Sequence, residues 1–326
     1  MTDESPLRRQ EDSRQKEGNG FMDIEILGTE SLGVRGLSCV VKTDGRNIVI
    51  DPGVALGYLR HGTLPHPHQV AVGCQVKSKI VAALKEATDV VISHYHGDHI
   101  PLADANPYQL SLRDIPPLDD VSLWCKGPHD ISNLAVQRWI DLSQFLGRIL
   151  PDSENQTEGI MSFSRSVPHG SQSTGLGTVM MTRIQEGDEV FVHASDIQLL
   201  DDGAVTAILE WKPTIVFASG PPLYLPKIDQ KARKYAWKCA KRLALNVETL
   251  ILDHHLLRSD EGYQWLKKLS ETSGGSATCA ATFMGKDVRL LEAWRDQLYT
   301  KMPVPSGWHE GYARGESSFE QYVTLE

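Results

Sequence analysis

Residues 22–28 alternate apolar and polar side chains, the period of a half-buried strand. Apolar segments follow at 37–42 and 47–50, and the Asp44-Gly45 pair between them signals a hairpin. Residues 58–75, rich in His, Pro and Gly, read as a loop. A helix is predicted over 76–87, with Ile80, Val81, Leu84 and Ala87 on one face, and a strand over 89–93. The prolines of 100–118 mark an excursion from the core. Residues 121–125 then read as a strand and 131–150 as a helix carrying Val136, Ile140 and Phe145. The second half repeats this grammar. Strands are predicted at 162–167, 178–184 and 190–194, the last two flanking the Glu186-Gly187-Asp188 turn, and again at 214–218 and 249–252; helices are predicted at 229–245 and 260–272. Residues 1–20 are polar, charged and almost free of large apolar side chains, which predicts a disordered leader. The expected organisation is one domain over 21–300, both halves burying each other, followed by a Pro/Gly-containing tail over 301–326.

The chemistry lies where these strands end. Residues 94–99 read His94-Tyr95-His96-Gly97-Asp98-His99 and follow the 89–93 strand directly. Three imidazoles and a carboxylate on one short turn can be aimed at one point, and a centre of His and Asp points to reaction chemistry, since structural zinc sites mostly use Cys. Four other strands also end in ligand-type residues: Asp51 in Asp51-Pro52-Gly53, His169 in Pro168-His169-Gly170, Asp196 after Ser195, and His254 or His255 after Asp253. In layered α/β folds strand ends converge on one sheet edge, so five such endings predict a shared cavity. Each has a plainer reading in isolation: Asp51 as a turn residue before Pro52, Asp196 and His169 as capping or hydrogen-bonding groups.

Taken together, the His-x-His-x-Asp-His word and the order Asp51, His169, Asp196, His254 resemble the metallo-β-lactamase superfamily over about residues 22–290. The runs Arg60-His61-Gly62-Thr63-Leu64-Pro65-His66-Pro67 and Ser219-Gly220-Pro221-Pro222 are similar to an archaeal branch of it. The resemblance implies a four-layer αββα sandwich of two mixed sheets flanked by helices. It also implies two divalent metal ions, zinc ahead of iron or manganese. His94, His96 and His169 would hold one, Asp98, His99 and His254 the other, with Asp196 bridging and Asp51 orienting the ligands. The last ligand is expected at His254, nearer the strand end, with His255 as the one-residue alternative. Such a centre lowers the pKa of bound water and stabilises developing oxygen charge, with Asp98 orienting the nucleophile while ligating.

Bulk properties narrow the substrate. The formal net charge of −9 and pI of about 5.7 disfavour a general grip on nucleic acid or anionic membrane. Five cysteines, none in a Cys-x-x-Cys pair, fit a reducing cytoplasm better than a disulfide scaffold. No apolar run approaches the roughly 18 residues of a membrane span, and no signal peptide is read. There is no Gly-x-Gly-x-x-Gly word and no P-loop. The expectation is therefore a cytoplasmic metal-dependent hydrolase acting on an ester-type bond of a small molecule, with an ester, lactone or thioester ahead of RNA or nucleotide phosphodiesters. A metal-free binding module is the competing class, and a di-iron oxidoreductase is disfavoured by His96, where such relatives carry an acid. The 58–75 and 100–160 segments are expected to wall the pocket. His61, His66 and His68 are candidates for its entrance and Tyr224 for a substrate contact. The basic run Lys227, Lys231, Arg233, Lys234, Lys238, Lys241 and Arg242 reads as a solvated helix face, with Ala232, Tyr235, Cys239 and Leu243 turned inward.

Overall fold

A computed structural model of the chain describes residues 22–171 and 177–323; the leader predicted over 1–20 lies outside the described residues. Strands β1 (Asp23–Gly28), β2 (Ser38–Thr43) and β3 (Arg46–Ile50) form an antiparallel meander. Its second turn is the two-residue Asp44-Gly45 loop, where Gly45 takes a left-handed φ of 82°. β4 (Asp89–Ile92) and β5 (Ser122–Cys125) extend this sheet in parallel. β6 (Thr157–Glu158) and β7 (Met161–Phe163) lie at one edge of a second sheet, while β8 (Val167–Pro168) and β9 (Thr178–Val179) pair as a separate ribbon. The second sheet continues with β10 (Thr182–Glu186) and β11 (Glu189–Ser195), antiparallel, then β12 (Ile215–Ala218), β13 (Thr249–Leu252) and β14 (Ala277–Thr278), parallel.

The period-2 alternation of the strands builds the layers. Ile48, Ile50 and Val91 of the first sheet meet Ile184, Phe191, Phe217 and Ile251 of the second in an inter-sheet core. Phe191 and Phe217 are fully buried and each contributes on the order of 2 kcal/mol by leaving water. The intervening residues face outward. Val49, Val90 and Ile92 pack with α1 (Pro67–Lys85) and α2 (Asn133–Phe145). Val190, Val192 and Val216 pack with α3 (Asp202–Glu210), α4 (Gln230–Ala244) and α5 (Asp260–Thr272). This is the αββα sandwich expected from the sequence.

Local departures from the predicted elements have identifiable causes. α1 starts at Pro67, nine residues before the predicted Val76, because His66 caps it. The His66 ring accepts from the His68 N–H, Gln69 reaches back to the His66 N–H, and Pro67 occupies the first helical position. Helix α3, absent from the sequence reading, is capped by Asp201 accepting from the Ala204 N–H. The 100–118 segment is no excursion, since Ile100, Leu102, Tyr108, Leu110, Leu112, Ile115 and Leu118 are buried in the first half's outer core. On α4, Tyr235 is exposed, and Ala236 and Ala240 join Cys239 and Leu243 on the inward face. Past α6 (Ala280–Phe283) and α7 (Arg295–Lys301), the stretch read as a tail carries α8 (Trp308–Ala313). It buries Trp308 and Tyr322 against the first half. His66 and His68 hold this stretch through the carbonyls of Met302 and Tyr322 (2.9 and 2.8 Å), so both are buried anchors rather than entrance residues; His61 alone of the three is exposed.

Candidate metal centre

Parallel pairing puts the C-terminal ends of β3 and β4 side by side, and does the same for β11, β12 and β13. Three of these strands leave their sheet through a left-handed non-glycine residue: Asp51 (φ 48°), Ser195 (φ 53°) and His254 (φ 33°). A left-handed backbone is unfavourable for L-residues and persists where the surroundings enforce it. Here it turns the chain sharply enough to point Asp51, Asp196 and His254 across the sheet edge rather than along it. After β4, His99 N–H closes on the His96 carbonyl at 3.0 Å, a tight turn that gathers residues 96–99.

Asp196, about 1% exposed, is the hub. Its Oδ2 lies 3.6 Å from His94 Nε2, 3.9 Å from His96 Nδ1, 2.8 Å from His169 Nε2 and 3.1 Å from His255 Nε2; its Oδ1 lies 3.3 Å from His99 Nε2 and 3.5 Å from His254 Nε2. Half of the chain's 12 histidines thus converge on one carboxylate. Donor atoms of His94, His96, His169 and Asp196 lie within 4.8 Å of one another, and so do those of Asp98, His99 and His254. The structure therefore brings together the metal donors read from the sequence and Asp51, but not His61, His66 or His68. His254 joins the Asp98–His99 group, and His255 lies on the opposite oxygen of Asp196.

The surrounding hydrogen bonds prepare the donors. Asp51 accepts from Ser93 N–H (2.8 Å), Ser93 Oγ–H (2.6 Å) and His99 Nδ1–H (2.8 Å). Ser93 Oγ in turn accepts from His94 Nδ1–H (2.9 Å) and meets Ser195 Oγ at 2.6 Å. With Nδ1 carrying the proton, His94 turns an Nε2 lone pair inward; His99 turns its Nε2 inward too and would ligate once a cation displaces the proton there. His94 Nε2, His99 Nε2 and Asp196 Oδ1 are buried without a hydrogen-bond partner. Buried polar atoms are rarely orphaned. Three facing one carboxylate-imidazole cluster have the chemistry of cation ligands, so the residues present fit a divalent metal.

Charge and burial oppose each other throughout. Burial favours the neutral form of Asp196, yet His99, His255, His254 and His169 hold its carboxyl well below the usual carboxylate range. Asp98 behaves likewise: against burial, the hydrogen bond from His254 and the charges of His99, His254 and Arg258 keep it ionised. Burial and the neighbouring His99 and His96 push His94 down to about 3, and burial with Arg258 pushes His254 down to about 4, so both rings are neutral and able to ligate. Burial lowers His99 as well, but Asp196 and Asp51 outweigh it and raise it well above the usual imidazole value.

Several residues missed by the sequence reading hold this arrangement. Asp253 accepts from Thr29 Oγ1–H (3.0 Å), Ser31 N–H and Oγ–H (2.8 and 2.5 Å), Ala280 N–H (3.0 Å) and His254 N–H (2.9 Å). It thereby clamps the strained His254 to the turn after β1. Arg258 donates from Nε to Glu30 (2.7 Å) and carries Nη2 to 3.4 Å from Asp98 and 2.9 Å from His254 Nε2. Burial and Glu292 raise Glu30 to about 8, whereas Arg35 overrides burial and lowers Glu292 to about 2. Gln198 meets His169 Nδ1 at 3.2 Å. Ser93, Ser195 and Asp253 each directly precede a donor at a strand end, a local signal that Glu30, Arg258 and Gln198 lack.

Residues 33–105 match the family model described as the metallo-beta-lactamase superfamily. Over 302 residues the chain is 55% identical to a UPF0282 protein of Methanosarcina mazei, covering 93% of this chain and all of that protein. The chain belongs to the UPF0282 family. Another UPF0282 protein, from Methanopyrus kandleri, is 35% identical over 290 residues, covering 85% of this chain and 99% of its own. Among solved structures, Tm1679, described as a metal-dependent hydrolase of the beta-lactamase superfamily, aligns with a TM-score of 0.44 and 13% identity over 76% of this chain and 93% of that one. AidC, a dizinc quorum-quenching lactonase, aligns with a TM-score of 0.36 and 14% identity over 67% and 71%. In this UPF0282 chain the His/Asp cluster is capable of binding metal, and no helix of the described residues is long and apolar enough to cross a membrane.

Proposed function

We propose that the chain is a hydrolase with two divalent metal ions, zinc ahead of iron or manganese, acting in the cytoplasm on an ester-type bond of a small molecule. Six imidazoles converging on the buried Asp196 carboxylate carry this reading. His94, His96 and His169 would hold one ion, Asp98, His99 and His254 the other, with Asp196 between them. Bound divalent ions supply a nucleophile at neutral pH by lowering the pKa of water and stabilise negative charge on oxygen. The chain's own residues define how substrate meets them. The side chains of His94, His99, His169, Asp196 and His254 are at most 4% exposed, whereas His96 is 34%, Asp98 18% and His255 13%. Substrate therefore approaches over His96, Asp98 and His255. Asp98, held ionised, accepts a hydrogen bond from the attacking water and orients it, while its low basicity keeps it from trapping the proton. Nucleic acid is the less favoured substrate, given the net charge of −9.

His96→Ala tests the centre with little risk to the fold, because His96 is the most exposed donor. It should reduce hydrolysis by more than the roughly 10–100-fold typical of residues that only orient ligands. Metal content should fall while the unfolding midpoint of the metal-free protein stays put. Unchanged turnover on generic ester, lactone, thioester and phosphodiester probes would remove the proposal, and the probe class that responds identifies the bond.

Metal loss should be stepwise. Gly36 N–H donates to His254 Nδ1 at 3.2 Å and Arg258 Nη2 lies 2.9 Å from Nε2, so both ring nitrogens face donors. A cation at Nε2 has to displace the Arg258 donor and then sits beside its charge. His94, by contrast, already carries its proton on Nδ1. Metal content followed against chelator should therefore show a plateau near one ion per chain; a single drop from two to none would contradict it.

A further inference from the structure

Two guanidinium groups near the centre have no acidic partner: Arg138 touches the loop that carries His96 and Asp98, and Arg60 lies against Arg258. Arg60 stacks over the Tyr224 ring, 4.9 Å from its centroid, and donates from Nη2 to the Arg258 carbonyl at 2.6 Å. The Tyr224 hydroxyl accepts from Arg258 Nη1 at 3.3 Å, so the Arg60–Tyr224 stack lies directly outside the arginine that touches Asp98. Arg138, on α2, donates from Nη1 to the Tyr95 carbonyl at 3.1 Å, and its Nη2 lies 3.3 Å from the point a Cβ on Gly97 would occupy. Both side chains are half-buried, and the Nε of each is buried with no acceptor. Among the described residues each guanidinium is matched only with a carbonyl or a ring, not with a carboxylate.

A half-buried cation is ordinarily paired with an acid, because part of its hydration is lost and a carbonyl dipole restores only some of it. Arg35, Arg233, Arg242 and Arg258 of this chain follow that rule. Among the described residues Arg148, Arg183 and Arg295 also lack a carboxylate, but each makes two N–H bonds to carbonyl or amide oxygens, whereas Arg60 and Arg138 make one each. The chain as a whole carries −9 and repels anions, so attraction for one must be built locally.

We infer that the substrate carries an anionic oxygen group, carboxylate or phosphate, that Arg60 and Arg138 receive at the mouth of the centre. This rests on the hydrolase reading and adds the substrate's charge to it. The planar donor fork of arginine suits either group, and Tyr224 stiffens Arg60 in place. The reacting bond then lies over His96 and Asp98, with the anion held to the side.

Calorimetric titration of the metal-loaded protein with inorganic phosphate and, separately, glutarate tests this. The wild type should bind at least one of them, and whichever binds tighter names the group. The Arg60→Gln/Arg138→Gln double variant should weaken that affinity by about tenfold or more with metal content unchanged. Equal affinity in the double variant, as phosphate held only by the metals would give, overturns the inference, and so does a wild type that binds neither anion. Should the double variant misfold, the single variants carry the same comparison. A second arm measures kcat/KM for phenyl acetate and for the monophenyl ester of succinate. The preference for the anionic ester should fall in the variants, and an unchanged preference counts against the inference while leaving the hydrolase intact. If the wild type turns over neither ester, the hydrolase reading fails on these esters, and the binding arm still decides the anion site.

Discussion

Asp196→Asn should empty the centre of both ions while leaving the sandwich folded. The carboxylate meets six imidazoles within 3.9 Å, one oxygen facing His94, His96, His169 and His255 and the other facing His99 and His254. An amide of the same shape fills the same space but supplies one acceptor oxygen and no charge. The neutral rings of His94 and His254 would then face any cation without the Asp196 charge to offset it. Asp98 and Asp51 remain, but Asp51 is consumed by Ser93 and His99, and Asp98 lies on the second group alone. Turnover should fall beyond the roughly 10–100-fold expected for a residue that merely orients a ligand. Metal analysis should find less than one ion per chain, against the two proposed for the wild type, and circular dichroism should be unchanged. Retention of both ions would mean that Asp196 is a hydrogen-bonding residue and that the two groups load independently.

The contrast with Asp253 shows what could be read from the chain and what could not. Asp196 is legible because it ends an apolar strand, in series with the other strand-end donors. Asp253 ends one too, yet it points the other way, into the turn at Thr29 and Ser31, more than 220 residues earlier in the chain. Periodicity and turn chemistry are local signals, and they carry no record of a partner that distant. The Arg258–Glu30 pair, 228 residues apart, was hidden for the same reason. The start of α1 was missed through chemistry rather than distance: histidine is not among the usual capping residues, and two prolines nearby argued for a loop. The burial of 100–118 went unseen because an irregular segment can bury its apolar side chains with no period at all. The sheets, the strand-end donors and the choice of His254 over His255 for the Asp98–His99 group rested on signals within a few residues of each donor.

Gly53→Ala should be the most damaging single methyl added to the turns that hold the donors. Gly53 follows Asp51 and Pro52, and its N–H closes on the Asp51 carbonyl at 2.7 Å, a three-residue turn that folds the chain back at the sheet edge. A Cβ there would lie 2.1 Å from the Ile100 nitrogen and 2.2 Å from the His99 carbonyl carbon. These are backbone atoms, so no side chain can swing aside to make room. Either the Asp51 turn opens or the His99–Ile100 peptide moves, and each breaks the Asp51–His99 hydrogen bond that orients a donor. The expected loss of stability exceeds about 4 kcal/mol, the range reserved for severe mechanisms, with metal content falling in parallel. Gly62→Ala is the control: Gly62 sits at φ 76° with nothing within 4 Å of its would-be Cβ, so only backbone strain of roughly 1 kcal/mol is expected. Denaturant midpoints of the two variants should therefore differ widely. If Gly53→Ala unfolds no earlier than Gly62→Ala, the close packing of the Asp51 turn against the metal loop is not what holds His99 in place.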